Sequence, residues 1–192
     1  MIVGITGSIA TGKSIVTNYL KSLGYPIIDS DEIAHRQLEK PAIIQEIIEK
    51  IGEEVLMDNK INRSKLGRIV FSDNEKRNML NQIIHPHVIN EIKKNYSLHQ
   101  GLIFVDIPLM FEASLEFLVD KIIVVYTSIE TQLIRLMTRD KIDEKYAKMK
   151  IASQFDIEEK KKKADFLINN EGDISNTYLQ VDDILRRLKN EI

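Results

Sequence analysis

The chain contains no cysteine and no tryptophan. Without thiols it can form neither a disulfide nor a thiolate zinc site, and a cysteine nucleophile is excluded; a reducing compartment suits such a chain. Neither sign of charge is in marked excess. The 27 basic against 29 acidic residues leave a formal net charge of −2, so a polyanion-coating surface is not indicated and no nucleic-acid partner is expected. Long hydrophobic runs are missing as well: nothing is apolar over enough residues to cross a bilayer, and no basic segment precedes a long apolar run at the amino end. Neither a membrane span nor a signal peptide is expected, and the cytoplasm is the simplest location. There is no internal repeat and no low-complexity linker, and 192 residues suit one α/β domain with an insertion. A monomer is favoured.

What the chain does have opens it. Gly7-Ser8-Ile9-Ala10-Thr11-Gly12-Lys13-Ser14 satisfies the phosphate-loop pattern G-x-x-x-x-G-K-[ST]. A β-branched apolar strand, Met1 to Thr6, precedes it, and Ile15, Val16, Tyr19, Leu20 and Leu23 follow at the spacing of one helical face stopped by Gly24. Strand, glycine loop and helix are the context this chemistry requires. Glycines let backbone N–H groups turn around a polyphosphate, and the helix amino end adds partial positive charge. The expected nucleotide-binding set is Gly7, Ala10, Thr11, Gly12, Lys13, Ser14 and Ile15, with Lys13 reaching the outer phosphates and the Ser14 hydroxyl offered to magnesium.

Further along, Tyr25 to Ile28 reads as a second strand that delivers Asp29-Ser30-Asp31 at its carboxyl end, where α/β sheets bind ligands. Ile33, Leu38, Ile43, Ile44, Ile47, Ile48 and Ile51 recur at helical spacing, with Pro41 interrupting and Gly52 closing, which predicts two helices. From Glu53 to Gln100 no core strand is expected. Leu66, Ile69, Val70 and Phe71 form one helical face; Asp73 reads as the cap of a further helix carrying Met79, Leu80, Ile83 and Ile84, expected to end near His85-Pro86 because the residue before proline avoids the α region. The runs Leu102 to Pro108, Lys121 to Tyr126 and Asp165 to Ile168 show no alternation, as strands covered on both faces do. Thr127 to Glu130 matches a capping box with Thr127 as N-cap, Asp143 reads as the cap of a helix through Gln154, and Ile174 to Leu188 spaces a terminal amphipathic helix. Strands alternating with helices predict an α/β chain with a three-layer sandwich and a helical lobe inserted into it.

Phosphoryl transfer needs a phosphate cradle, a metal, an acceptor held by a group that takes its proton, and positive charge for the moving phosphoryl. Asp29 and Asp31 lie two apart, and alternation along an extended segment would send both side chains to one side. Asp31 is the candidate general base or acceptor-orienting carboxylate, against a reading in which it simply caps a helix beginning near Glu32; both readings can hold together. Asp106 ends a buried strand where a Walker-B carboxylate would help hold magnesium, or it closes a turn. Arg135 and Arg139, four apart, share a helix face that either balances charge on the phosphoryl or is simply solvated; Lys150 and Gln154 are candidates to join them. His85 and His87 straddle a proline with no third ligand nearby, so zinc is not expected, and His85 is either an acceptor-pocket residue or a structural one. Lys160 to Lys163 reads as a solvated helix face. A guanine-reading Asn-Lys-x-Asp is absent: Asn59-Lys60-Ile61-Asn62 lacks the final carboxylate, which argues against a GTPase.

Taken together these motifs resemble the dephospho-coenzyme A kinase family over nearly the whole chain. The likeness rests on the loop, on Asp29-Ser30-Asp31 followed by Ile33-Ala34, on Leu66 with Val70-Phe71, on His85-Pro86, and on Asp106-Ile107-Pro108-Leu109-Met110-Phe111-Glu112. It continues through Arg135-Leu136, Arg139-Asp140, Ile151-Ala152-Ser153-Gln154, Ala164-Asp165 and Ile168-Asn169-Asn170 with Gly172. The resemblance implies a P-loop kinase fold with a five-stranded parallel sheet (core about 1–30, 101–130 and 164–192), a helical substrate-binding insertion (about 31–100) and a lid (about 135–160). It implies phosphorylation of the ribose 3′-hydroxyl of dephospho-CoA by ATP with Mg2+. It further implies that Asp31 is the acceptor's base, that Lys13 and Arg139 stabilise the phosphoryl, and that Arg135 and Arg139 meet the nucleotide. Asp29, His35, Phe71, His85, Leu109, Phe111 and Glu112 would then border the acceptor, and Ser14 and Asp106 the metal. The chain departs from the family pattern in having Ser30 for the usual Ala, His35 with Arg36 beside it for the usual Arg, Lys150 for Arg and Asn169 for Asp. Another small-molecule P-loop kinase, or a module that holds ATP without chemistry, are the alternatives.

Overall fold

The structure is a computed structural model and describes residues 1–99 and 101–191. The expected boundaries at Gln100 and Ile192 lie outside the described residues. In chain order the elements are β1 (Ile2–Gly7), α1 (Lys13–Ser22), β2 (Ile27–Asp29), α2 (Ser30–Gln37), α3 (Pro41–Ile51), β3 (Leu56–Met57), β4 (Lys60–Ile61), α4 (Arg63–Ser72), α5 (Asn74–Ser97), β5 (Ile103–Asp106), β6 (Lys121–Tyr126), α6 (Ile129–Asp140), α7 (Glu144–Ala152), α8 (Ile157–Lys162), β7 (Phe166–Asn169) and α9 (Ile174–Lys189). They gather into two compact units, Met1–Asp29 with Leu98–Ile192, and Ser30–Ser97.

The first unit is built on a five-stranded sheet in the order β2-β5-β1-β6-β7, with every pairing parallel. Parallel strands need crossovers that cover both faces, which is why β1, β5 and β6 are apolar without alternation. Val3, Ile5, Phe104, Ile123, Val125 and Ile168 pack on one face against Val16 and Leu20 of α1 and Val181, Ile184, Leu185 and Leu188 of α9. Each such side chain contributes roughly 1.5–3 kcal/mol by burial. Tyr19 stacks on Tyr178 with ring centroids 4.0 Å apart, fixing α1 to α9. Between those positions Ile103, Val105, Ile122 and Val124 are buried too, and α8 lies against β6. Strand order reverses across β1, so the loop that leaves β1 emerges at the carboxyl edge where such sheets hold ligands.

The second unit is helical, and α5 is its spine. Ile83, Ile84, Val88 and Ile92 are buried along α5, which packs against α2, α3 and α4. The expected end of this helix at His85-Pro86 is wrong: the helix runs through Pro86 to Ser97. Proline forfeits one backbone bond, but Ile83 and Ile84 before it and Val88 and Ile92 after it are all buried, and packing outweighs the local rule. Lys76 Nζ bonds the last carbonyl of α3, Ile51 O, at 2.9 Å. No core strand was expected here, and the main sheet takes none from this unit; β3 and β4 form a separate two-stranded hairpin. Its turn residues Asp58 and Asn59 take φ of 52° and 59°, the left-handed pair that matches strand twist. The guanine-motif look-alike is this hairpin. Among the described residues no helix is long and apolar enough to cross a membrane.

Candidate active site

The loop between β1 and α1 has the geometry of an anion cradle. Gly12, the N-cap of α1, has φ 86° and no side-chain cap, and the first turn carries no acidic residue, so no side chain caps the helix amino end. A Cβ on Gly12 would sit 1.9 Å from Asn170 Nδ2, and one on Gly7 would sit 2.5 Å from the Val125 carbonyl, so both positions require glycine. The Ser8 hydroxyl oxygen and Arg135 Nη1 are buried there with no partner in the protein. Buried donors next to an uncapped helix end fit a phosphate group.

Lys13 and Asp106 form an ion pair at the mouth of this cradle. Asp29 is the register partner of Asp106, so β2 and β5 end on adjacent carboxylates. Ser14 and Asp106 supply oxygen donors of the type magnesium takes, with few protein ligands and the remainder left to phosphate and water, so the residues present fit that ion. Ile15 N–H bonds the Gly12 carbonyl at 2.9 Å within the first turn.

Side chains distant in sequence grip the loop from outside. Gln154 Oε1 accepts from the Ile9 N–H at 2.8 Å, and Gln132 Nε2 donates to the Ile9 carbonyl. Asn170 Nδ2 donates to the Thr11 carbonyl at 2.8 Å, while its Oδ1 accepts from the Thr177 hydroxyl. Lys160 Nζ donates to the Gly7 carbonyl at 3.2 Å and pairs with Glu112 Oε1 at 2.7 Å. Lys160 was expected on a solvated face and is instead fully buried. In the run of four lysines Lys161 and Lys162 do pair with Glu158 and Glu159 on the surface, but Glu112 draws Lys160 inward. Sequence reasoning misplaced Lys160 and passed over Gln132 and Thr177; Asn170 was noticed only through the family likeness.

The cap of α6 also differs from expectation. Ser128, not Thr127, is the N-cap and accepts from the Thr131 N–H. The Thr127 hydroxyl donates to Glu171, whose carboxylate is held at a pKa of about 2, first by Thr127, then by Thr131 and the Ser128 N–H. A carboxylate thus sits at the start of α6, where the helix dipole favours it. The helix after Asp143 ends at Ala152, which leaves Gln154 outside it and able to reach Ile9.

On α6, Arg135 Nη2 donates to the Asn170 carbonyl at 3.0 Å. Arg139 Nε donates to Asp140 Oδ1 at 2.7 Å, and Lys150 Nζ meets Asp140 Oδ2 at 2.6 Å. Hydrogen bonds from Arg139, then Lys150, lower the Asp140 pKa to about 2. After β5, Leu109 is exposed and Phe111 is buried, with Lys163 Nζ 5.3 Å above its ring. Glu112 Oε1 takes a second bond, from the Phe155 N–H at 3.0 Å, and Oε2 is buried without a partner.

The remaining expected residues lie in the helical unit. Extended alternation from Asp29 to Asp31 does not apply, because α2 begins at Ser30 and Asp31 stands in its first turn. An acid there is favoured by the helix amino end. His35, with Lys60 and Arg63, lines an open groove beside the β3–β4 hairpin. Phe71 is half exposed. His85 borders a smaller groove with Asn78, Asn81, Gln82 and Ile89, and burial lowers its pKa from the ordinary histidine value.

The sequence model of the dephospho-CoA kinase family matches residues 1–176. The chain is 44% identical over 194 aligned residues to the dephospho-CoA kinase of Listeria innocua, covering 98% of this chain and 97% of that one. Among solved structures, TT1252 from Thermus thermophilus superposes with a TM-score of 0.86 at 31% identity, over 98% of this chain and 97% of that one. The dephospho-CoA kinase of Campylobacter jejuni superposes with a TM-score of 0.74 at 36% identity, over 100% and 98%. With the phosphate cradle on the carboxyl edge of a parallel sheet and likeness along its whole length, the chain belongs to the dephospho-CoA kinase family, on a P-loop kinase fold.

Proposed function

We propose how this chain carries out its family's reaction, the ATP-dependent phosphorylation of the ribose 3′-hydroxyl of dephospho-CoA that completes coenzyme A biosynthesis. The loop from Gly7 to Ser14 receives the ATP phosphates on backbone N–H groups and on the uncapped start of α1. Lys13 leaves Asp106 for the outer phosphates, where a point charge offsets the growing charge on the β–γ bridge oxygen. The released Asp106 carboxylate and the Ser14 hydroxyl would hold a magnesium ion, which supplies charge neutralisation on the β- and γ-oxygens.

Asp31 takes the proton of the 3′-hydroxyl as that oxygen bonds the γ-phosphorus and the bond to the bridging oxygen breaks, giving coenzyme A and ADP. Asp31 follows Asp29 by two residues, so it lies at most about 8 Å in Cα distance from the strand end. Arg139, held by Asp140, exchanges that carboxylate for the moving phosphoryl, and Arg135 meets the nucleotide. His35, Phe71, His85 and Leu109 contact the acceptor. The absence of cysteine supports a cytoplasmic setting.

The observation that carries this reading is the uncapped, acid-free start of α1 with Lys13 already held at its mouth. The test is a coupled assay of the purified protein with ATP, magnesium and a panel of acceptors. Coenzyme A formed from dephospho-CoA, with nucleoside monophosphates inert, is expected; turnover of another acceptor at higher efficiency contradicts it.

A further inference from the structure

Three carbonyls of the loop, those of Gly7, Ile9 and Thr11, are each held by a buried side chain from a different part of the chain: Lys160, Gln132 and Asn170. All three side chains are buried, and no peptide bond here is cis. In a planar trans peptide the carbonyl of one residue and the N–H of the next point in opposite directions. Holding the carbonyls of residues 7, 9 and 11 therefore fixes the N–H groups of Ser8, Ala10 and Gly12, one on every second residue of the cradle.

Lys160 is the costly member of the set. Burying an ammonium and a carboxylate costs several kcal/mol per ion, and a well-packed apolar pair would serve stability at least as well. A charged donor on Gly7 makes sense as orientation, since a charge-assisted bond is the stronger kind.

Resting on the reading that this loop holds the ATP phosphates, we propose that Lys160, Gln132 and Asn170 are positioning residues that set the loop's N–H groups toward the polyphosphate before it binds. Preorganised dipoles of this sort need no reorganisation when charge arrives. Glu112 then neutralises Lys160 and joins the Phe155 backbone to the same point.

The test uses two variants of the full chain. Gln132→Met keeps the side-chain length and removes an amide whose Oε1 has no partner, so the fold survives while Ile9 loses its donor. Lys160→Met with Glu112→Gln removes both charges together, leaving no unpaired buried ion and the net charge unchanged. Calorimetric titration with ATP and with inorganic tripolyphosphate, alongside melting curves, reads the result. Dissociation constants for both ligands should rise about tenfold or more in each variant with native melting behaviour. In Gln132→Met, kcat should fall while the KM for dephospho-CoA stays at the parent value. Parent-like affinity for tripolyphosphate in the two folded variants overturns the proposal. Because tripolyphosphate binding needs no acceptor, this outcome is distinct from a parent that binds it and fails to phosphorylate dephospho-CoA, which would defeat the functional reading alone.

Discussion

Lys13, at the start of α1, reaches across the cradle to the carboxylate of Asp106 at the end of β5, so that an ion pair stands at the loop mouth. The pair is mostly buried, with side-chain exposures of 19% and 10%. Its partners in sequence stand far apart and meet only because β1 and β5 are neighbours in register.

Lys13→Ala should leave the fold intact and lower turnover by about a thousandfold or more, the scale of several kcal/mol of lost transition-state stabilisation. Steady-state kinetics on a variant with a native melting curve checks this. Near-parent turnover would remove the lysine from the chemistry.

Asp106→Asn should raise the magnesium concentration needed for half-maximal rate and lower the maximal rate by roughly tenfold or more. A magnesium titration at saturating ATP measures it. An unchanged midpoint would take Asp106 out of the metal site.

Arg139 is more than half exposed and is held by Asp140. Arg139→Ala should lower turnover more than it weakens ATP binding without acceptor, and Arg139→Lys should restore only part of the rate, since a point charge does not replace a planar fork. Loss confined to ATP affinity would make Arg139 a ground-state binder.

The same cluster has a pH signature. Asp140 titrates at about 2 in the folded chain, below its ordinary 3.8. A depressed carboxylate pKa contributes stability that is present above the unfolded value and lost as pH falls through the folded one, so the cluster should persist at pH 4 and come apart between about 4 and 2. An NMR titration of the Asp140 carboxyl should show this midpoint, rising in Lys150→Met and rising further in Arg139→Ala. A midpoint at or above 3.8 in the parent would contradict the pairing.

Much of this was legible in residues. Strands β1, β5 and β6 announce themselves by unbroken apolar runs because both of their faces are covered, and the loop by its glycines. Strand order was not legible, since β5 pairs with β1 across a helical unit and no local signal carries that choice. Pro86 misled because the rule is local and the packing of Ile83, Ile84, Val88 and Ile92 is not. Thr127 and Ser128 carry the same capping chemistry, and only Glu171, far along the chain, decides between them. Lys160 looks like its three neighbours until Glu112 and the Gly7 carbonyl are placed beside it.

The central claim is that Asp31, in the first turn of α2, takes the proton from the acceptor. Single-turnover phosphorylation of dephospho-CoA by Asp31→Asn, beside Asp29→Asn, tests it most directly. Asparagine keeps the size and a hydrogen-bond acceptor while losing the charge and most of the basicity. The account predicts that Asp31→Asn binds ATP and magnesium about as well as the parent while the transfer step slows by ~10²–10⁴, the range for a positioned base, and that Asp29→Asn loses less. A parent-like rate in Asp31→Asn, or a larger loss in Asp29→Asn, would contradict it.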